Sequence, residues 1–322
     1  MAKHIDEVGA KAAGGTELQR DYLYSHVDNK LLDEFQIVIS RCRELEQKPR
    51  LFWVKDLHTD PEVQNLQNPN FLNHFEYIVH NSDWQRIMYQ AYLRVPWEKQ
   101  HVLKNAIIPS NVDLLSKCRP EKVKIIYSST PQRGLNILYS VFDELYKDDK
   151  SIELNVYSSF DIYGHHSRNI PFLPLFEKCK EHPGINYYGS VTHDEVLEAQ
   201  KSNHILALPS IWEETSCITV MENMSAGNLI VTNNLGALSE TTAGFSLMYD
   251  YTENINTHAS RFYDALTNGI NLIRKGGKLH NIPVGFEKYN LLSEQKQYAD
   301  HFYNWELRGK EWTEFLTKIL NK

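Results

Sequence analysis

Cysteine is scarce and scattered. The four thiols, Cys42, Cys118, Cys179 and Cys217, stand far apart in a chain of 322 residues. Their spacing suits neither a metal nor a disulfide framework, and they read as reduced thiols of an intracellular protein. No HExxH or CxxC pattern occurs, and of the 14 histidines only His165 and His166 adjoin. Adjacent residues seldom point at one ion, so no metal site is expected. No run of about 18 uncharged apolar residues exists to span a membrane. The opening MAKHIDEVGAKAAGG lacks the apolar stretch of a signal peptide, and a soluble, cytoplasmic protein is expected. Positive charge is not in surplus either. A formal net charge of −7 gives no clear signal for nucleic acid or an anionic membrane surface. No internal repeat or low-complexity tract is visible.

What remains is an ordinary globular composition, 42% hydrophobic and 23% charged, in a chain long enough for two domains with their own cores. The 18 Tyr, 13 Phe and 6 Trp suit sugar or partner surfaces, although most such residues are expected to be core. Short β-branched and aromatic runs alternate with helical patterns, the mark of an α/β protein with parallel sheets. In the first third the expected strands are 35–40, 51–54, 76–79 and 105–108, with helices at 16–25 and 84–93. A polar, proline-bearing stretch, KCRPEKVK, follows and reads as a linker. The pattern then restarts with expected strands at 124–127, 152–157, 185–188, 204–208 and 229–232 and helices between them. Residues 293–320 read as one or two amphipathic helices. The division expected is therefore 1–117, 118–290 and 291–322.

In open α/β sheets ligands bind beyond the carboxyl ends of strands, at loops leading into helices. The richest such loop lies in HILALPSIWEETSCITVMENMSAGNLIVTNN. Thr215 or Ser216 is suited to cap the helix, and Ile218, Met221 and Met224 fall at core-facing helical spacing. Glu214 precedes the helix and Glu222 lies within it. Two helical turns over that interval span about 12 Å, too far for both carboxylates to act on one bond. They are instead suited to grip two parts of an elongated ligand. The free N–H groups at Ser216, Cys217 and Ile218 offer anchors between them. The plain alternative is an acidic helix start with a solvated Glu222.

The stretch PSIWEETSCITVMENMSAG resembles the donor-site signature of retaining glycosyltransferase family four, Glu-(seven residues)-Glu followed by an Ala-Gly helix end. The resemblance implies that Glu214 lies by the donor sugar and its anomeric centre, and that Glu222 binds the nucleotide ribose. The family usually has glycines just after the first Glu, where this chain has Thr215 and Cys217.

Three further loops carry the same resemblance. IIYSSTPQRGLNILYSVFDEL places Ser129, Thr130 and Arg133 before Gly134 and a helix, a small polar turn with one cation that suits a diphosphate. A capped helix with a surface arginine is the plain alternative. The run resembles the family's phosphate-binding turn, with Tyr127 or a serine where a first basic residue usually stands. NYYGSVTHDEV resembles the family's Gly-x-Val-x-x-x-Glu turn, which implies base contacts at Gly189, Ser190 and Val191. KAAGGTELQRDYL sets Gly14, Gly15 and Thr16 at a helix start, where backbone can approach a ligand closely. By the resemblance this loop faces the donor phosphates. No convincing strand precedes it. LFWVKDLHTD resembles an acceptor-side loop that often carries a His-Asp pair; Lys55 holds the His position, Asp56 is retained and His58 is close. Asp56 or His58 is suited to orient the acceptor or the donor sugar, with a surface loop as the equal alternative.

The resemblance implies a GT-B fold: two Rossmann-like domains facing across a cleft, the N-terminal one shortened and without an evident first strand. Residues 1–117 would be the acceptor side and 118–290 the donor domain, with 291–322 crossing back. The implied activity is metal-independent, retaining transfer of a sugar from a UDP- or GDP-linked donor to a hydroxyl acceptor on a glycan, lipid, protein or modified base. Glu214, Arg133, Asp56 and His58 would be the catalytic set, with no tightly bound cofactor. A nucleotide-sugar epimerase of the same architecture and a non-catalytic sugar-nucleotide or protein-binding module are the alternatives.

Overall fold

Strand residues alternate between two faces of a sheet, and in the first third both faces are apolar. Ile37, Leu51, Trp53 and Val79 belong to one buried cluster, while Val38, Phe52, Val54 and Ile78 belong to another. A sheet buried on both sides calls for parallel strands with helices above and below. The computed structural model has that arrangement. It describes residues 14–42, 44–117, 120–275 and 291–322. The chain divides into two units. Unit 1 is drawn from the chain up to Ile107, from Glu214–Ser216 and from Phe302–Lys322; unit 2 comprises Ile108–Glu213 and Cys217–His301. Residues 108–117 thus go with unit 2, although the division expected from the sequence fell after residue 117.

Unit 1 holds helices α1 (Gly15–His26) and α2 (Asn29–Asp33), strands β1 (Gln36–Ile39) and β2 (Arg50–Trp53), α3 (Pro69–Leu72), β3 (Tyr77–His80), α4 (Asp83–Leu93) and β4 (Gln100–Val102). Its sheet is β1-β2-β3-β4, all parallel. The strand expected at 105–108 is corrected: the fourth strand is Gln100–Val102. Ile107 instead makes an isolated parallel bridge with Asn304, because its backbone pairs with Tyr303 and Trp305. Residues 1–13, where the sequence offers no convincing strand, lie outside the described residues.

Unit 2 holds β5 (Val123–Tyr127), α5 (Leu135–Asp148), β6 (Ile152–Val156), α6 (Leu173–Glu181), β7 (Ile185–Tyr187), α7 (His193–Ser202) and β8 (Ile205–Leu208). It continues with α8 (Ile218–Ser225), β9 (Leu229–Asn233), α9 (Leu238–Thr242), β10 (Ser246–Tyr249), α10 (Ile255–Arg274) and α11 (Leu291–Phe302). The sheet order is β10-β9-β8-β5-β6-β7, again all parallel. Every residue of β8 and β9 is buried, as a central strand of a doubly covered sheet requires. The last helix, α12 (Trp305–Leu320), belongs to unit 1 and buries Trp305, Trp312, Phe315, Leu316 and Ile319 in the cluster that contains Leu23 and Trp53. Of the thiols, Cys179 and Cys217 are buried and Cys42 is half-buried; Cys118 lies outside the described residues. No described helix is long and apolar enough to cross a membrane.

Candidate functional site

In unit 2 the strand order reverses between β5 and β8, so their connections depart to opposite sides and leave a crevice at the carboxyl ends. Two loops meet there. After β5 the chain forms a single 3-10 turn, Pro131–Arg133, and enters α5 through Gly134 at φ +103°. That conformation favours glycine. A Cβ there would stand 2.0 Å from the carbonyl oxygen of Pro209, in the loop after β8. The two loops therefore touch backbone to side-chain-free backbone. Thr219 in the first turn of α8 donates to the Ser128 carbonyl at 3.0 Å and ties the same loops again. Tyr127 is fully buried and its hydroxyl donates to the Thr130 carbonyl at 2.8 Å. It braces the turn from beneath and offers no charge in place of a basic residue.

The turn presents unspent donors. Ser128 Oγ and Thr130 Oγ1 are buried and make no hydrogen bond among the described residues. So is Ser158 Oγ, in the loop after β6. Buried polar atoms in folded proteins nearly always find partners, so such hydroxyls at a strand's carboxyl end are ready for oxygens of a ligand. Ser129 and Arg133 are half-buried beside them.

Glu222 lies in α8 and is 6% exposed. Its carboxylate accepts from His193 Nε2 at 2.7 Å and from Gln200 Nε2 at 3.3 Å. Both partners are on α7, so the turn holding Gly189 (φ +69°), Ser190 and Val191 is brought beside Glu222. Burial opposes a charged His193 ring, but the hydrogen bond and charge of Glu222, with Asp194 adding to them, leave its pKa raised. Glu195, the acid at the end of that motif, is spent on the helix cap: Thr192 and Glu195 bond each other reciprocally. This lowers the Glu195 pKa through the Thr192 hydroxyl and backbone N–H.

The start of α8 differs from expectation. The N-cap position is Cys217, not Thr215 or Ser216, and no side chain caps it. Thr215 is held elsewhere. Its carbonyl accepts from Ser82 Oγ at 2.6 Å and its hydroxyl donates to the Lys55 carbonyl at 3.3 Å, contacts that draw Glu214–Ser216 into unit 1. Ile218 is the first residue of the helix, and Cys217 is buried. Glu214 is 4% exposed. The two acids of the motif thus reside in different units.

Unit 1 gathers its own set at the carboxyl ends of its strands. Gly14 is the N-cap of α1, with Thr16 in its first turn. Gln19 fixes this helix to the segment after β4 by exchanging two bonds with the Ala106 backbone, at 2.7 and 2.9 Å. Ser40, after β1, holds φ 60°, a strained conformation for a non-glycine residue. Its hydroxyl accepts from the Lys55 N–H at 3.1 Å. Burial raises the Asp56 pKa and a Ser40 hydrogen bond opposes the rise. The Asp56 carbonyl accepts from Gln85 and Tyr89. Its neighbour His58 is buried, with its ring 4.4 Å from that of Tyr92 and 6.2 Å from that of Trp84.

Several polar groups here escaped the sequence reading: His193, Thr219, Ser158 and the asparagines Asn81 and Asn105. Only Ser158, in the small polar run that follows β6, carried a local signal of the kind read at Ser128–Thr130. Among the described residues no group of three or more His, Cys, Asp or Glu side chains is placed to hold a metal ion.

Residues 116–268 match the family model of glycosyl transferases group 1. Compared by sequence with curated proteins, the chain has no match. Among solved structures it is similar to a glycosyltransferase from Rickettsia africae, with 14% identity over 93% of this chain and 81% of that one and a TM-score of 0.65. It is also similar to Anabaena HepE in complex with UDP: 15% identity, 84% and 73% of the two chains, TM-score 0.63. A third is a UDP-forming α,α-trehalose-phosphate synthase from Burkholderia vietnamiensis, with 10% identity, 84% and 68% covered and a TM-score of 0.59. The fold is the expected α/β, GT-B type, with two parallel-stranded sheets.

Proposed function

We propose that this chain is a retaining glycosyltransferase, of the family-four kind, that moves a sugar from a nucleotide-diphosphate donor to a hydroxyl acceptor. The observation that carries the reading is the meeting of the β5 and β8 loops at the switch point of unit 2, with Glu222 on α8 and the Gly189–Val191 turn just before α7. Arg133, the Ser129–Thr130 turn and the α8 N–H groups would hold the diphosphate and stabilise charge on the departing phosphate. Glu222 would bind the ribose and Gly189–Val191 the base. Glu214 would orient the donor sugar and offset positive charge at its anomeric carbon, and Gly14, Gly15 and Thr16 are further proposed donor contacts. Asp56 or His58 would orient the acceptor or the donor sugar; the His58 ring is also packed against that of Tyr92. We further propose a cytoplasmic enzyme with no resident metal or tightly bound cofactor.

HepE has been solved with UDP and with UDP-glucose, which makes uridine donors the first to try. The test is release of UDP or GDP across a panel of donors, with product configuration read by NMR. Retained configuration and loss of about 10²-fold or more in kcat for Glu214→Gln are expected. An epimerised nucleotide sugar without transfer would overturn the proposal. So would a wild-type chain that neither transfers nor hydrolyses any donor.

A further inference from the structure

Lys55 follows β2, Asn81 follows β3 and Asn105 lies beyond β4, so three polar side chains come from the carboxyl ends of neighbouring strands of unit 1. Lys55 Nζ donates to Asn81 Oδ1 at 2.9 Å and to Asn105 Oδ1 at 3.0 Å, and lies 3.6 Å from the centroid of the Trp53 ring. The orientation of the first amide is settled by its other partners. Asn81 Nδ2 donates to the Val54 carbonyl at 2.7 Å, and Trp53 Nε1 donates to Asn81 Oδ1 at 3.2 Å. With its N–H₂ spent on a carbonyl, Asn81 can only turn oxygen toward the lysine. Two acceptor oxygens and an aromatic face form a cradle for an ammonium.

The cradle lacks a counter-charge. Among the described residues both hydrogen-bond partners of Nζ are neutral, and no carboxylate lies within ion-pair distance. Burial drives the Lys55 pKa well down, and the Asp56 charge only partly opposes it. A desolvated cation held by neutral groups is costly to maintain. An ammonium has three donors, and Asn81 and Asn105 use two. The backbone around it is fixed from several sides: Ser40 takes the Lys55 N–H, Thr215 donates to the Lys55 carbonyl, and Gln85 donates to the Asp56 carbonyl. Such bracing preorganises a binding group.

We infer that this cradle in unit 1 receives an anionic group, a phosphate or carboxylate carried by the acceptor, with Lys55 as its counter-charge and Asn81 and Asn105 as the groups that aim it. The word acceptor rests on the glycosyl transfer proposed above; the anion site does not.

Calorimetric titration of the full chain at low ionic strength tests it, with glucose 6-phosphate against glucose and glycerol 3-phosphate against glycerol. The phosphorylated member of each pair is expected to bind about ten-fold or more tightly. Lys55→Met should bring the ratio to within about two-fold, and Lys55→Arg should leave an intermediate preference. Equal affinities in the wild type, or a preference that survives Lys55→Met, overturn the inference. If Lys55→Met does not fold, the ¹⁵Nζ resonance of Lys55 in the wild type decides: it should move on addition of glucose 6-phosphate and not of glucose, and a static signal is contrary. A further arm repeats the titration with saturating UDP. Loss of the phosphate preference there would assign the anion to the donor's diphosphate and overturn the acceptor assignment. A chain that releases no UDP or GDP from any donor, yet keeps a Lys55-dependent phosphate preference, defeats the proposed activity and leaves the anion site standing.

Discussion

At the scale of residues, Glu222, proposed above to bind the donor ribose, is engaged by two side chains of α7. Glu222 pairs with His193 at 2.7 Å, and this interaction, working against burial, raises the His193 pKa. A ring whose folded-state pKa exceeds its unfolded value stabilises the fold fully below the unfolded value, and the contribution is lost as pH rises through the folded one. His193→Gln keeps a hydrogen-bonding group but removes the charge. The wild type should exceed this variant by about 1–2 kcal/mol near pH 5.5. The gap should narrow as the pH is raised from there into the alkaline range and the ring loses its proton. Denaturant unfolding of both proteins across that range is the measurement. A gap that widens with pH would mean that the pair does not act as an ion pair.

At the scale of elements, one glycine decides whether two loops can meet. Gly134→Ala must adopt φ near +103° and place a methyl against the Pro209 carbonyl, so the β5 and β8 loops would have to part. Left-handed strain alone costs about 1–2 kcal/mol, and displaced backbone adds to it. A loss of about 3 kcal/mol or more is expected in unfolding experiments, together with, on the proposed function, loss of nucleotide binding in calorimetry. Near-neutral behaviour would show that the two loops are not in register as described.

At the same scale, the amino-acid sequence discloses some elements and conceals others. Strands such as ILAL and LIVTN are buried on both faces, so apolar letters reveal them, and the Ser128–Gly134 turn announces itself through small residues and a glycine. β4 is QHV, whose polar letters conceal a strand, while the more apolar stretch at 105–108 drew the expectation wrongly. Cys217 supplies the N-cap position of α8 because Thr215 is held by Ser82 and Lys55, partners 133 and 160 residues away in sequence. The Lys55 cradle depends on Asn81 and Asn105, 26 and 50 residues distant. No local pattern encodes contacts of that separation; only the parallel sheet brings them together.

At the scale of the whole molecule, the chain leaves unit 1 after Ile107, contributes Glu214–Ser216 to it, and returns to it at Phe302. The returning segment is structural for unit 1. Trp305, Trp312, Phe315, Leu316 and Ile319 share a buried cluster with Leu23, Val27, Ile37, Leu51, Trp53 and Val79. Trp305 Nε1 also donates to the Ala106 carbonyl at 3.0 Å. Gly309 lets α12 pass close to α1, since a Cβ there would lie 2.8 Å from the His26 carbonyl oxygen. Burial of a large apolar side chain is worth about 1.5–3 kcal/mol, so five of them contribute on the order of 10 kcal/mol, comparable with the entire stability of a domain. A chain ending at His301 should therefore lose the fold of unit 1. Unit 2 keeps its contacts with α11, where Gln295 donates to the Asn228 carbonyl at 2.8 Å and Lys296 to those of Ser110 and Ser225. Limited proteolysis should then degrade the segment before Ile108 rapidly and spare the part of the chain from Ile108 onward that makes up unit 2. Protection of the segment before Ile108 in the truncated chain would show that α12 is dispensable and that the cluster is not its main support.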